Sequence, residues 1–251
     1  NPGREVTVKA LPARYPQGAE KVLIQTPVYN IFYNSVLNNG RVILESPLIY
    51  DGVSYGIDFD DLDKKLSDHQ TTLMILCNPH NPIGKIWDMQ TLNRIGEMCK
   101  KYNVTVISDE IHCDLCDPLK EYIPFASVSE TCRDISITCI APTKAFNLAG
   151  IQTAAICIPN EALRHKINRA LNTDEVAEPN CFAVTAAVSA FTRGEKWLDE
   201  LREYIFENKC FVREFLKNEI PVIKALPSEA TYLLWLDCQR LTDSNSSELA
   251  C

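Results

Sequence analysis

Along most of this chain, short apolar runs alternate with stretches whose apolar positions recur at helical spacing. Residues 21–26 read as a short buried strand, and Pro27 ends it. From Tyr29 to Leu37 the spacing is helical and stops at Asn39-Gly40, a C-terminal cap signal. Residues 41–48 read as the next strand and 60–67 as a short helix. Thr72-Leu73-Met74-Ile75-Leu76-Cys77 reads as one continuous run bounded by Asn78-Pro79, the pattern of a central parallel strand covered on both faces. Asp88 is placed to cap a helix that runs through Lys101, with Leu92, Ile95, Met98 and Cys99 on one face. Residues 104–108 form a further strand ending at Asp109-Glu110. Strands at 135–140 and 153–158 follow, then a helix over 160–172.

Strands alternating with helices predict an α/β fold, a mostly parallel sheet flanked by helices. Ligands of such sheets bind beyond the carboxyl ends of the strands. Asn78 to Asn81, Asp109 to His112 and Ala141 to Lys144 each follow a predicted strand end, so three polar clusters converge on one edge. Past Thr173 the pattern is helical over 181–191 and again over 195–218, until Pro221 breaks it. Residues 222–226 and 231–236 read as two strands opening a smaller α+β C-terminal domain. The predicted division is a large domain over 18–190 and, over 191–251, an interdomain helix with an incomplete small domain. Residues 1–17 show no clear period and stay unassigned.

Composition narrows the function classes. With 251 residues, 46% hydrophobic and 23% charged, the chain can bury a sizeable core and has the make-up of a globular protein. A net charge of -8 with no basic stripe argues against nucleic acid or an anionic membrane as partner. No apolar run approaches bilayer length, and the first residues lack a basic-then-apolar leader, so the expected location is the cytoplasm. Of the eleven cysteines, Cys77, Cys99, Cys139, Cys157, Cys181 and Cys210 lie in apolar runs and are expected to be reduced and buried. Cys113 and Cys116 form a C-x-x-C, but no second half of a metal site lies at matching spacing, and no metal is predicted.

The most informative stretch is Cys139 to Thr153, where Lys144 is the one lysine in a nearly uncharged segment after a strand. Burial among apolar neighbours disfavours the ammonium, and a free amine can attack a carbonyl. Lys144 is therefore a candidate Schiff-base residue, with a surface turn after Pro142 as the plain alternative.

Four segments in this order and separation carry a resemblance: Thr26-Pro27-Val28-Tyr29; Cys77-Asn78-Pro79-His80-Asn81-Pro82-Ile83-Gly84-Lys85; Ser108-Asp109-Glu110-Ile111-His112; and Ala141-Pro142-Thr143-Lys144-Ala145-Phe146-Asn147-Leu148-Ala149-Gly150. Together they resemble the aminotransferase-fold pyridoxal-phosphate enzymes, specifically the cystathionine β-lyase-like C–S lyase branch, over about residues 18–237. The resemblance implies pyridoxal 5'-phosphate as cofactor. Lys144 would hold it covalently and, once released by substrate, take the Cα proton. Asp109 would pair with the ring nitrogen, Tyr29 would stack on the ring face, and Asn81 and His112 would reach the ring's phenolic oxygen. Thr143 would offer its hydroxyl to the phosphate. His69, His80 and His165 are expected to be surface or structural.

The implied activity is β-elimination from L-cystathionine or a cysteine S-conjugate, giving thiol, pyruvate and ammonia. An aminotransferase of the same fold and a non-catalytic remnant remain as alternatives. The implied partners are a small amino-acid substrate and a second copy of the chain in a homodimer. The resemblance also implies an incomplete copy. Residues 1–17 lack the family's glycine-containing phosphate turn, and the chain stops before its late carboxylate-binding arginine.

Overall fold

The apolar runs pair into one six-stranded sheet in the computed structural model, which describes residues 7–11, 13–16 and 18–241. The expectations for residues 1–6, 12 and 17 and for the polar stretch after Leu241 fall outside the described residues. The strands of the sheet are β1 (Lys21–Thr26), β2 (Val42–Pro47), β5 (Thr71–Cys77), β6 (Thr105–Asp109), β7 (Ser136–Ile140) and β8 (Ala155–Cys157). Their spatial order is β2-β1-β5-β6-β7-β8, parallel throughout except for the last pairing. A separate small hairpin joins β3 (Ile49–Tyr50) to β4 (Tyr55–Gly56).

Both faces of the sheet are covered, which is why its central strands read as continuous apolar runs rather than alternating ones. On one face Leu23, Met74, Leu76 and Val106 pack with Leu62 and Leu66 of α2 (Phe59–Leu66) and with Leu92, Ile95 and Cys99 of α3 (Met89–Lys101). On the other, Val22, Ile24, Leu73, Ile75, Ile107 and Ile137 pack with Phe32 and Val36 of α1 (Ile31–Leu37). Ile167 of α5 (Glu161–Thr173) joins that second layer. The helix starts are set by side-chain caps: Asp88 Oδ1 accepts from the Thr91 N–H at 2.7 Å, and Asn160 Oδ1 from the Leu163 N–H at 3.1 Å. A short helix that the periodicity did not reveal, α4 (Glu130–Ile135), is capped by Ser129 and leads into β7.

Several expectations are corrected. The strand expected over 153–158 is three residues long and antiparallel to β7. Residues 141–154 hold turns and one 3-10 turn, not the crossover helix that a parallel neighbour requires. The two strands expected over 222–236 shrink to β9 (Lys224–Ala225) and β10 (Leu236–Asp237). Between them the backbone pairs elsewhere: the Glu229 and Ala230 N–H groups donate to the Gly84 carbonyl, and the Thr231 N–H donates to the Leu115 carbonyl at 2.7 Å. Cys77, Cys99 and Cys139 are buried as expected, but Cys157, Cys181 and Cys210 are exposed. They sit on an edge strand, in the loop before α6 (Ala183–Arg193) and on α7 (Glu195–Glu219), where local apolar context does not create a core.

Glu20 and Arg41 form a buried ion pair at 2.6 Å beneath the start of the sheet. Arg41 also donates to the carbonyls of Val8 and Leu11, while Thr72 Oγ1 donates to Glu20 at 2.6 Å. Burial pushes the Glu20 carboxyl up, but hydrogen bonds from Thr72, Arg41 and the Arg14 N–H, with the Arg41 charge, hold it below its ordinary value. Its contribution to stability is therefore complete above the ordinary carboxylate value of 4.5 and is lost as pH falls through the lower folded one. Removing one partner leaves a buried charge uncompensated. Arg41→Met is expected to cost about 3–5 kcal/mol, read as a lower urea midpoint, and a loss within the scatter of exposed substitutions would contradict the pairing.

Candidate active site

Sheet register decides where the polar clusters begin. Cys77, Asp109 and Cys139 lie in one row across β5, β6 and β7. Beyond that row the ladder continues for one more step, with the Asn78 N–H on the Asp109 carbonyl at 3.2 Å and the Glu110 N–H on the Cys139 carbonyl at 3.0 Å. The three predicted clusters therefore leave the sheet side by side at its carboxyl edge.

Asn78 is fully buried and turns the first cluster: its Nδ2 donates to the Ile123 carbonyl at 3.0 Å and its Oδ1 accepts from the Trp87 N–H at 3.2 Å. This brings Asn81 to the Tyr29 backbone, whose N–H donates to the Asn81 carbonyl at 3.2 Å. Tyr29 is exposed, edge-on to Phe32 with ring centroids 6.3 Å apart. Asn81 Nδ2 lies 3.4 Å from His112 Nε2. The second ring nitrogen of His112, Nδ1, is enclosed. That buried Nδ1 has no hydrogen-bond partner among the described residues.

His112 packs edge-on against Tyr232, centroids 5.6 Å apart, and the Lys144 Nζ stands 6.0 Å from the centre of the same ring. An unbroken series of contacts thus runs from Tyr29 through Asn81, His112 and Tyr232 to Lys144. Asp109 is buried at the base of this group and bears electrostatically on His112. Lys144 is half-buried, less enclosed than its uncharged sequence context suggested. Thr143 is buried beside it, its carbonyl accepting from the Leu148 N–H at 3.1 Å. The turn is anchored by Phe146, packed edge-on against Phe191 at 6.0 Å. Gly194 permits that approach, since an added Cβ would lie 2.4 Å from the Phe146 ring.

Two participants escaped the sequence reading. Glu110, fully buried, accepts from Ser108 Oγ at 2.7 Å, from the Tyr122 hydroxyl and from the Phe125 N–H at 3.0 Å. Burial pushes its carboxyl above the ordinary value despite those donors, with the Asp109 charge adding to the push. It braces the turn that carries Asp109 and His112; its place after a strand end was the available signal. Tyr232 comes from the other end of the chain, and no local pattern marks it.

Other expectations resolve plainly. His80 is buried, not at the surface, with its backbone N–H on the Lys85 carbonyl and its ring edge-on to Trp87; burial brings it down to about 4. His69 and His165 are exposed. Burial raises both the Cys113 and Cys116 thiols, Cys116 up to about 11, which disfavours the thiolate that metal ligation or redox exchange needs. No helix among the described residues is long and apolar enough to cross a membrane.

The donor set suits an aromatic aldehyde that bears a ring nitrogen and a phenolic oxygen. It offers one amine, one buried carboxylate, an exposed aromatic face, the Asn81 amide and the His112 imidazole, whose Nδ1 has no hydrogen-bond partner among the described residues. Burial and the nearby Lys144 charge outweigh Asp109 and bring His112 down to about 4, so its ring is neutral near pH 7. Because the unfolded chain binds that proton first, the contribution of His112 to stability falls as pH drops below 6.5 and levels off below about 4. In an NMR titration of the imidazole signals His112 is expected to stay neutral where an ordinary histidine charges, near pH 6.5; titration at that ordinary value would contradict the enclosed site.

Comparison with known proteins gives the family. Residues 9–250 match the family described as aminotransferase class I and II. The chain is 44% identical over 237 residues to cystathionine beta-lyase PatB of Bacillus subtilis (strain 168), covering 94% of this chain and 61% of that protein. Among solved structures, it resembles cystalysin from Treponema denticola, which contains pyridoxal 5'-phosphate, at 32% identity and a TM-score of 0.90, covering 95% of this chain and 60% of that one. It also resembles the PLP-bound C-S lyase from Staphylococcus hominis, at 33% identity and a TM-score of 0.86, covering 98% of this chain and 62% of that one. The chain thus spans about three-fifths of the length of these relatives.

Proposed function

The chain belongs to the aminotransferase class I and II family, and from that premise we propose that it works with pyridoxal phosphate as a carbon–sulfur β-lyase. Its substrate would be L-cystathionine or another cysteine S-conjugate. The observation that carries this reading is the convergence of Lys144, Asp109, His112 and Asn81 at one sheet edge. Identity to a cystathionine beta-lyase supports the choice within the family.

In this reading Lys144 would hold the cofactor through its amine, and the Asp109 carboxylate would favour the protonated form of the ring nitrogen. Tyr29 would stack on the ring, Asn81 and His112 would hold the phenolic oxygen, and the Thr143 hydroxyl would hold the phosphate. When bound, the cofactor supplies an electron sink for the pair left at Cα. With its amine free, Lys144 would take the substrate's Cα proton. A neutral His112 suits this role, because a second cation would repel the ammonium that results. Loss of the Cα proton lets the Cβ–S bond break with its electron pair on sulfur, which leaves as thiol after taking a proton. The three-carbon enamine, once free, takes up water to give pyruvate and ammonia.

We also propose a homodimer in the cytoplasm. An apolar surface at Phe182, Val184, Val188, Phe191 and Trp197 supports association, and ten free cysteines among the described residues support a reducing compartment. The division into a cofactor-binding domain over 18–190 and, over 191–251, a connecting helix with the start of a second domain belongs to the same proposal; β9 packs on α7 within the second part, and α6 runs across the boundary.

Purified full-length protein with pyridoxal phosphate and L-cystathionine is expected to release pyruvate with no 2-oxo acid added, and Lys144→Ala to slow that release by about 10²–10⁴-fold, the scale of a lost general base. An absolute requirement for a 2-oxo acid acceptor would overturn the lyase reading in favour of transamination.

A further inference from the structure

Tyr232 stands between the two groups whose charge states the site depends on, its ring meeting His112 and the Lys144 Nζ. The loop that carries it is fastened at every residue from 228 to 231. Gly84 adopts φ +68° and lies so close to the loop that an added Cβ would sit 2.6 Å from Ser228 Cβ and 2.8 Å from the Ala230 carbonyl oxygen. Cys116 and Ala230 form a β-bridge, and the Asp117 N–H donates to the Glu229 carbonyl at 2.8 Å. Thr231 is fully buried at φ +69°, a conformation an L-residue holds only when its surroundings impose it, and its Oγ1 accepts from the Leu233 N–H at 3.1 Å.

Beneath the loop lies Lys209 of α7, 3% exposed, its Nζ donating to Asp117 Oδ1 at 2.6 Å and to the Ala230 carbonyl at 3.2 Å. One buried cation therefore joins the helix, the Leu115–Asp117 segment and the loop next to Tyr232. A buried pair of this kind is a weak source of net stability compared with an apolar pair, but it fixes geometry, since each partner tolerates few other positions.

We propose that Tyr232 is a further residue of this site, the aromatic wall that holds the Lys144 amine, and that the Lys209–Asp117 pair positions it. The proposal deepens the reading of Lys144 as the reactive amine and rests on that reading for its role in turnover. Tyr232 is a direct neighbour of the reacting amine; Lys209 is a positioning residue acting through the loop. A ring face draws the ammonium electrostatically and limits approach to the amine from that side. Tyr232 is 43% exposed and is open to whatever enters. An aromatic surface beside the amine suits an amino acid with an apolar, polarizable side chain, a thioether above all.

The test is trace acetylation with acetic anhydride at fixed pH, on full-length protein freed of bound carbonyl compounds, with Lys144 read against Lys196, whose side chain is 89% exposed. Removing the ring raises the label by opening the approach to the amine. Tyr232→Ala is expected to raise the Lys144 to Lys196 ratio about two- to fivefold, and Tyr232→Phe, which keeps the ring, to leave it unchanged. The double variant Asp117→Leu with Lys209→Met removes both charges together, avoids a lone buried ion, and is expected to raise the ratio as Tyr232→Ala does.

An unchanged ratio in Tyr232→Ala would overturn the wall, and so would an equal rise in Tyr232→Phe. A rise in Tyr232→Ala alone, with none in the folded double variant, would overturn the positioning role of Lys209. Tyr232 is partly exposed, so its variants test the wall even if the double variant does not fold. Acetylation needs neither cofactor nor substrate, so a protein that releases no pyruvate still gives this answer.

Discussion

One register holds the site together: the row Cys77, Asp109, Cys139 across three parallel strands. Side chains along a strand alternate between faces, so a one-residue slip of β6 would turn Asp109 to the opposite face and carry His112 away from Asn81. Register is fixed by the two apolar layers. Leu73, Ile75 and Ile107 face one, and Met74, Leu76 and Val106 face the other, so a slip would exchange the two sets against helices shaped for the first. The chemistry at the edge and the packing of the core are thus consequences of one alignment.

What the sheet does not fix, buried polar groups do. Glu110 gathers Ser108, Tyr122 and the Phe125 N–H around the turn after β6, and Asn78 gathers Ile123 and Trp87 around the turn after β5. Each group would be costly to bury without its partners, so each turn has few alternatives to the geometry it adopts. The loop bearing Tyr232 is held in the same manner by Lys209, Asp117 and the Gly84 carbonyl. Loops thereby gain a definition that their lack of regular structure would not supply.

The parts of this arrangement that local sequence encodes were legible without coordinates. Asn81, Asp109, His112, Thr143 and Lys144 all follow apolar runs that could only be buried strands, and strand ends in a parallel sheet share an edge. The direction of β8 was less legible because it depends on what the connection omits, a crossover helix. The exposure of Cys157, Cys181 and Cys210 depends on which side of an element has a neighbour, and a residue's flanks do not carry that information. Tyr232 was invisible because its place is set by hydrogen bonds to residues 84 and 115–117, distant in sequence and made through backbone atoms that every residue type shares. The Lys209–Asp117 pair was hidden for a related reason, since a lysine on a long polar helix reads as solvated until the loop above it is known.

The central claim is that this sheet edge presents one amine, at Lys144, to a carbonyl cofactor. The direct measurement is to add pyridoxal phosphate to the purified chain, reduce with borohydride and map the modified peptide. The account predicts label confined to Lys144. Label spread over surface lysines, or none at all, would contradict it.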